Sequence, residues 1–243
     1  MSAGEGQGAG RRPFQLPFRD LPLRGTVHAT AGHAPRILAL HGGGASSRLG
    51  YGPLLDFLAD HGHSSVAFDF AGQGESAGDL AASGLRDRAL QALAVVDFLK
   101  MPRPVSMIAS SMGGHIACSL IEALAPPALV LYCPAAYEAA ALEVPFGPAF
   151  QQVIRATGDF AASPAFDALE RFQGRLLLVL GAEDAVIPRQ VQEEYTRRAR
   201  RARSVEVLRL DGAGHHLHAW LIDHAAQATH VAQRVLATLG CAD

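Results

Sequence analysis

Ala109-Ser110-Ser111-Met112-Gly113-Gly114 is the stretch whose reading decides the fold. An apolar run, Val105-Ser106-Met107-Ile108-Ala109, leads into it, and a helix-compatible run, residues 115–124, leads out. A serine flanked by tiny residues between a buried strand and a helix is the pattern of a nucleophile elbow. Small neighbours are needed because the serine sits on a sharp turn with a strained backbone. Larger side chains two positions either side would collide with the strand and the helix. The usual pattern is Gly-x-Ser-x-Gly, and Ala109 stands here at the first glycine. In a chain with 25 glycines such a match is weak by itself, so the surrounding sequence has to carry it.

Outward from this stretch the chain alternates. Upstream, Ile37-Leu38-Ala39-Leu40 is a short continuous apolar run, the mark of a strand buried on both faces. It ends in the loop His41-Gly42-Gly43-Gly44-Ala45-Ser46-Ser47. Residues 53–60 read as a helix, and Val66-Ala67-Phe68-Asp69-Phe70 as the next buried strand. Residues 85–100 form an amphipathic helix, with Leu85, Ala89, Leu93, Val96 and Leu99 at helical spacing. Downstream, strands are expected at 128–132, 175–180 and 205–210, helices at 191–200 and 217–239. Residues 14–18 and 23–29 read as two short strands, and residues 1–12 as a flexible tail. Repeated strand–helix alternation predicts an α/β fold, a mostly parallel central sheet with helices on both faces. Residues 135–173 break the rhythm and are too long for a simple loop. They carry Tyr137, Phe146, Phe150, Phe160 and Phe166, and read as a short inserted cap over the strand ends.

Open parallel sheets bind ligands beyond the carboxyl ends of their strands. Four strand ends are informative. One opens onto His41-Gly42-Gly43-Gly44, one onto Ser111, one onto Gly181-Ala182-Glu183-Asp184, and one onto Asp211-Gly212-Ala213-Gly214-His215. A donor loop, a serine, a carboxylate and a histidine thus share one rim, in the chain order Ser, Asp, His of α/β-hydrolases. Through these stretches, with Asp69-Phe70-Ala71-Gly72-Gln73-Gly74-Glu75-Ser76 and Ala185-Val186-Ile187-Pro188, the chain resembles the α/β-hydrolase superfamily. The resemblance is to its small esterases and its monoacylglycerol-lipase-like and serine aminopeptidase-like members. It spans about residues 40–215 and departs from the family at Ala109 and at Ala71, where arginine is usual.

The roles follow from chemistry. A serine hydroxyl is a poor nucleophile unless a base takes its proton, which makes Ser111 the nucleophile and His215 the base. Asp184 is expected to hold the imidazole tautomer and stabilise the imidazolium. Glu138, after the preceding strand, is the rival acid; the tight turn at Gly181 favours Asp184. The oxyanion needs backbone N–H donors, expected from Met112 and Gly43, with Gly44 second. The cap aromatics Tyr137, Phe146 and Phe150 are expected to contact substrate. The resulting expectation is a serine hydrolase of a carboxylic ester or related acyl compound, working through an acyl-enzyme. Acyl transfer with the same triad and a non-catalytic binding module on this fold are the alternatives.

Other readings fail on pattern. Hydrophobic residues are 49% and charged residues 18% of 243, which fits a well-buried globular chain. A net charge of −2 gives no general pull toward nucleic acid or an anionic membrane. Arg197, Arg198, Arg200, Arg201 and Arg203 read as a solvated helix end. Cys118, Cys133 and Cys241 make no spaced framework, and no run is long enough to span a membrane or serve as a signal core. The expected setting is the cytoplasm, the expected partner a small acyl molecule. His215, His216 and His218 lack a second ligand cluster, so no metal is expected. Gly72-Gln73-Gly74-Glu75-Ser76-Ala77 imitates a dinucleotide fingerprint, but Gly78 and Gly84 keep the next residues loop-like, so no nucleotide cofactor is expected.

Overall fold

A computed structural model describes residues 10–240. In chain order the elements are β1 (Gly10–Phe18), β2 (Leu21–Ala29), β3 (Ile37–Leu40), α1 (Gly52–Asp60), β4 (Ser65–Phe68), α2 (Leu85–Phe98) and β5 (Ser106–Ser110). Then come α3 (Met112–Ser119), α4 (Ile121–Leu124), β6 (Ala128–Tyr132), α5 (Pro148–Ala156), α6 (Pro164–Leu169), β7 (Arg175–Gly181), α7 (Arg189–Arg198), β8 (Ser204–Leu210), α8 (Leu217–Ile222) and α9 (Ala225–Gly240).

The eight strands form one sheet in the order β1-β2-β4-β3-β5-β6-β7-β8. β1 and β2 run antiparallel; β3 to β8 are parallel to one another. The apolar runs explain why: β3, β4 and β6 are buried at every position, as strands covered on both faces must be. Alternate residues feed two separate cores. Leu38, Leu40, Met107, Ala109, Leu129 and Leu131 face α2, α3, α6 and α7. Ile37, Ala39, Ile108, Val130, Tyr132 and Val179 face α1, α8 and α9. The parallel strands therefore end on a common rim, above which β3, β5, β7 and β8 release their loops.

Three expectations change. Residues 10–12, assigned to the tail, pair with residues 27–29 as the start of β1; residues 1–9 and Cys241 lie outside the described residues. The terminal helix is two helices, parted at Asp223 and His224, where the His224 ring turns back onto the Trp220 carbonyl, with Nδ1 2.7 Å from it. No glycine or proline marks that break, so periodicity alone runs through it. The excursion at 135–173 carries α5, α6 and two 3-10 turns, but α6 belongs to the main core: Phe166 and Leu169 are fully buried, and Phe166 meets Tyr195 of α7 edge-on.

Candidate active site

Ser111 is the joint between β5 and α3. Its φ of +50° and ψ of −119° are strained for a residue with a Cβ. The neighbours hold it there. Its N–H donates to the Tyr132 carbonyl at 3.0 Å, and its carbonyl accepts from Ala135 N–H at 3.0 Å and Gly114 N–H at 2.9 Å. Gly113 is obligatory for a steric reason: a Cβ there would overlap the carbonyl oxygens of Leu40 and His41. Ala109 is tolerated because it sits inside β5, paired with Leu40 and Leu131, with its methyl in the core.

β8 ends at Leu210 and its exit loop delivers His215. β7 ends at Gly181 and its exit loop delivers Asp184. Gly181 lets the two loops touch, since a Cβ there would overlap the carbonyl oxygens of Ala213 and Gly214. Ala182 N–H donates to Leu210 O and Glu183 N–H to Ala213 O, tying the loops together. The result is a row of hydrogen bonds: Ser111 Oγ lies 3.0 Å from His215 Nε2, and His215 Nδ1 lies 3.0 Å from Asp184 Oδ2. These partners assign the proton to Nδ1 and leave Nε2 to accept from the serine. Glu138 is elsewhere, half-buried and accepting from Asp159 N–H.

The carboxylate is held ionised. Burial pushes the Asp184 carboxyl up, but hydrogen bonds from His215, from Ile187 and Val186 N–H, and from the Cys133 thiol outweigh it and hold it at about 2. Cys133 is a participant that the sequence hid. It reads as a small core residue, yet it takes Gly181 N–H at 3.4 Å and supports Asp184 from below, while burial pushes its own thiol up to about 12. Among the described residues, Cys133, Asp184 and His215 are the one group that brings three potential metal-ligand atoms together. Their donors and acceptors are already engaged with one another, so the group reads as a hydrogen-bonded chain.

Beside Ser111, the N–H groups of Gly43 and Met112 have no hydrogen-bond partner among the described residues. Met112 opens α3, where the first N–H has no carbonyl one turn back within the helix. The glycine loop is propped from behind. Gln73 Nε2 donates to Gly44 O at 2.8 Å and Gly42 O at 3.3 Å. His41 Nδ1 donates to Gly42 O at 2.8 Å, and its Nε2 accepts from Phe70 N–H at 3.1 Å, a pattern that requires the neutral ring; burial pushes that ring down to about 4. The stretch that imitates a dinucleotide fingerprint is thus a structural turn. Asp69, fully buried, pairs with Arg48 and accepts from Arg48 N–H at 2.7 Å and Glu75 N–H at 2.9 Å.

A cavity of about 300 Å³ opens on Ser111, bounded among others by Gly43, Ser46, His215, His218 and Ile222. The expected substrate contacts Tyr137, Phe146 and Phe150 are not on its walls. They form an aromatic cluster on the other face of the sheet. Phe146 meets Phe150 edge-on at 4.9 Å, Phe150 lies 5.6 Å from Tyr137, and Tyr137 meets His115 at 5.1 Å. The cause is Arg88. It is fully buried with no carboxylate partner among the described residues, donates to the Ala71 carbonyl and Gln91, and lies against the rings of Phe70 and Phe146 at 5.2 and 5.1 Å. A desolvated guanidinium is stabilised by aromatic faces, which holds Phe146, with Phe150 edge-on to it, against Arg88.

Comparison with known proteins agrees with this architecture. No curated protein sequence matches the chain significantly. Among solved structures, the Pyrococcus furiosus esterase Pf2001 superposes with a TM-score of 0.69 at 20% identity, over 95% of this chain and 93% of that one. A hydrolase from Pseudomonas aeruginosa PA01 gives a TM-score of 0.69 at 21% identity, covering 94% and 98%. A predicted CIB-like hydrolase from Thermoplasma acidophilum gives 0.68 at 16%, covering 91% and 97%. These likenesses show the fold. The model of one hydrolase family, serine aminopeptidase S33, matches residues 32–163, more than half of the chain and including both the glycine loop and the serine elbow, and the protein belongs to that family of α/β-hydrolases.

Proposed function

We propose that the protein is a serine hydrolase that cleaves a neutral carboxylic ester, or a related acyl compound, through an acyl-enzyme on Ser111. The observation that carries this reading is the unbroken row Ser111–His215–Asp184 beside two unpaired backbone N–H groups. Ser111 Oγ attacks the acyl carbon while its proton passes to His215 Nε2. Asp184 stabilises the imidazolium that forms. The developing oxyanion takes the N–H groups of Gly43 and Met112. His215 then gives the proton to the leaving oxygen, and the alcohol departs. Water attacks the acyl-enzyme with His215 as base, releasing the acid and restoring the serine. No other group is needed for these steps.

The walls of the cavity support a neutral substrate. Its lining holds serines, glycines, histidines, Tyr132 and apolar residues, and no Asp, Glu, Lys or Arg. A free α-amino group, which a peptidase acting at a chain N-terminus must bind, finds no carboxylate there. The test is a pre-steady-state assay with p-nitrophenyl butyrate. The reading expects a burst of nitrophenolate equal to the enzyme concentration and a butyryl adduct on the Ser111 peptide. Ser111→Ala should lose at least about 10⁴ in kcat while staying folded. Full turnover by folded Ser111→Ala would end the proposal.

A further inference from the structure

A second cavity, about 240 Å³, lies directly behind the first. Gly50, Tyr132, His218 and Ile222 bound both. The second is an apolar groove lined by Leu54 and Phe57 of α1, Leu221 of α8, and Ala228, Val231 and Ala232 of α9. Its walls are almost wholly apolar; the one hydroxyl is that of Thr229, apart from the shared Tyr132. It exists because the break between α8 and α9 turns α8 across the rim and leaves the small residues Ala228 and Ala232 facing α1. No part of the catalytic row lines it.

We infer that this cavity is the acyl-chain pocket of the enzyme, entered from Ser111 past His218, and that it selects straight acyl groups of about six to eight carbons. The inference rests on the hydrolase reading and adds the substrate class. Several observations converge on it. The cavity adjoins the serine cavity through four common wall residues, so a chain whose carbonyl carbon sits at Ser111 reaches it. At roughly 30 Å³ per non-hydrogen atom, 240 Å³ holds about eight. An apolar space that size suits a hydrocarbon chain rather than a polar group. It runs between three helices straight off the serine cavity, and the acyl group stays attached to Ser111 through deacylation, whereas the alcohol leaves to solvent first; the acyl chain is the part that an adjoining apolar groove serves throughout. The partition is also unusual. The His218 ring lies between Tyr51 and Tyr132, 4.3 and 4.8 Å away by ring centroids, and its buried Nε2 has no hydrogen-bond partner among the described residues. The ring is edge-on to Tyr51 and tilted to Tyr132, with no polar anchor on that nitrogen, so it is the wall between the two cavities that a chain would displace. Ile222, 76% exposed, stands on the rim of both cavities as an apolar threshold.

The test uses p-nitrophenyl acetate, butyrate, hexanoate, octanoate and dodecanoate on the full-length enzyme. Wild-type kcat/KM should climb from acetate to hexanoate or octanoate and fall at dodecanoate. Ala228→Phe, which fills the cavity, should lower the hexanoate-to-acetate ratio of kcat/KM at least tenfold. Leu54→Ala, which enlarges it, should move the optimum to longer chains and serves if the filled variant does not fold. Calorimetry of sodium hexanoate with Ser111→Ala, and with Ser111→Ala carrying Ala228→Phe, reads occupancy without turnover; binding should be at least tenfold weaker in the second. An unchanged ratio and unchanged hexanoate binding would overturn the pocket while leaving a working serine hydrolase. A ratio that changes only in a series of acetate esters of longer alcohols would overturn the acyl assignment. Acetate turnover that persists in Ser111→Ala would instead strike the hydrolase reading itself.

Discussion

Ser111 keeps a positive φ without being glycine, and three backbone hydrogen bonds with Tyr132, Gly114 and Ala135 offset that strain. The same economy of position explains which residues are legible in the sequence. Ser111 and Asp184 follow buried strands closely, and His215 follows β8 at the sheet edge, so the strand ends place all three on one rim. Cys133, Gln73 and Arg48 are not legible, because their meaning lies in partners far along the chain: Asp184, the Gly42 and Gly44 carbonyls, and Asp69. The residue-scale prediction concerns the acid. Asp184 meets the imidazole at 3.0 Å, whereas Glu138 accepts from Asp159 N–H within the 135–173 excursion. Asp184→Asn leaves a neutral amide that no longer fixes the tautomer or stabilises the imidazolium, and should lower kcat by about 10⁴ near neutral pH. Glu138→Gln should change kcat less than about twofold, since surface changes away from any special feature are worth about 0.5 kcal/mol or less. Steady-state kinetics on p-nitrophenyl butyrate reads both, and a crippled Glu138→Gln would reverse the assignment.

At the scale of elements, the strand–helix alternation and the mostly parallel sheet come through in the sequence because period and burial are local signals, whereas the strand order, with β4 between β2 and β3, rests on long-range pairing. The facing of an irregular segment is not a local signal either. Aromatic content marks residues 135–173 as a cover, yet Phe146 and Phe150 are 8% and 5% exposed, and Phe146 packs against a buried arginine with Phe150 edge-on to it. Nothing in their spacing announces Arg88, which sits on a different helix. The expected outcome for Phe146→Ala is therefore a loss of stability of about 3 kcal/mol, from lost packing and an uncovered guanidinium. Urea titration should read this as a lower midpoint. The relative kcat/KM for short and medium acyl esters should stay the same. A changed preference at unchanged stability would mean that the cap reaches the substrate after all.

Over the whole molecule, buried neutral histidines set the response to acid. Burial pushes His41, His115 and His218 from the usual 6.5 down to about 4. The folded state resists protonating them and the unfolded state does not. Stability is therefore complete above about pH 6.5 and is lost as pH falls toward 4, by about 3 kcal/mol per ring. Asp184 acts in a lower window, since its carboxyl is depressed from 3.8 to about 2 and its contribution fades only below 3.8. Thermal melts should fall steeply from pH 7 to pH 4.5, and His115→Gln should flatten that slope; a flat melting temperature across this range would contradict the neutral, buried state of these rings. The central claim is that, in the whole chain, one serine is activated. A fluorophosphonate probe on the native protein, followed by proteolysis and peptide mapping, tests it most directly: the expected result is a single adduct, on Ser111, absent from folded Ser111→Ala, and an adduct on another serine, or none on Ser111, would contradict the account.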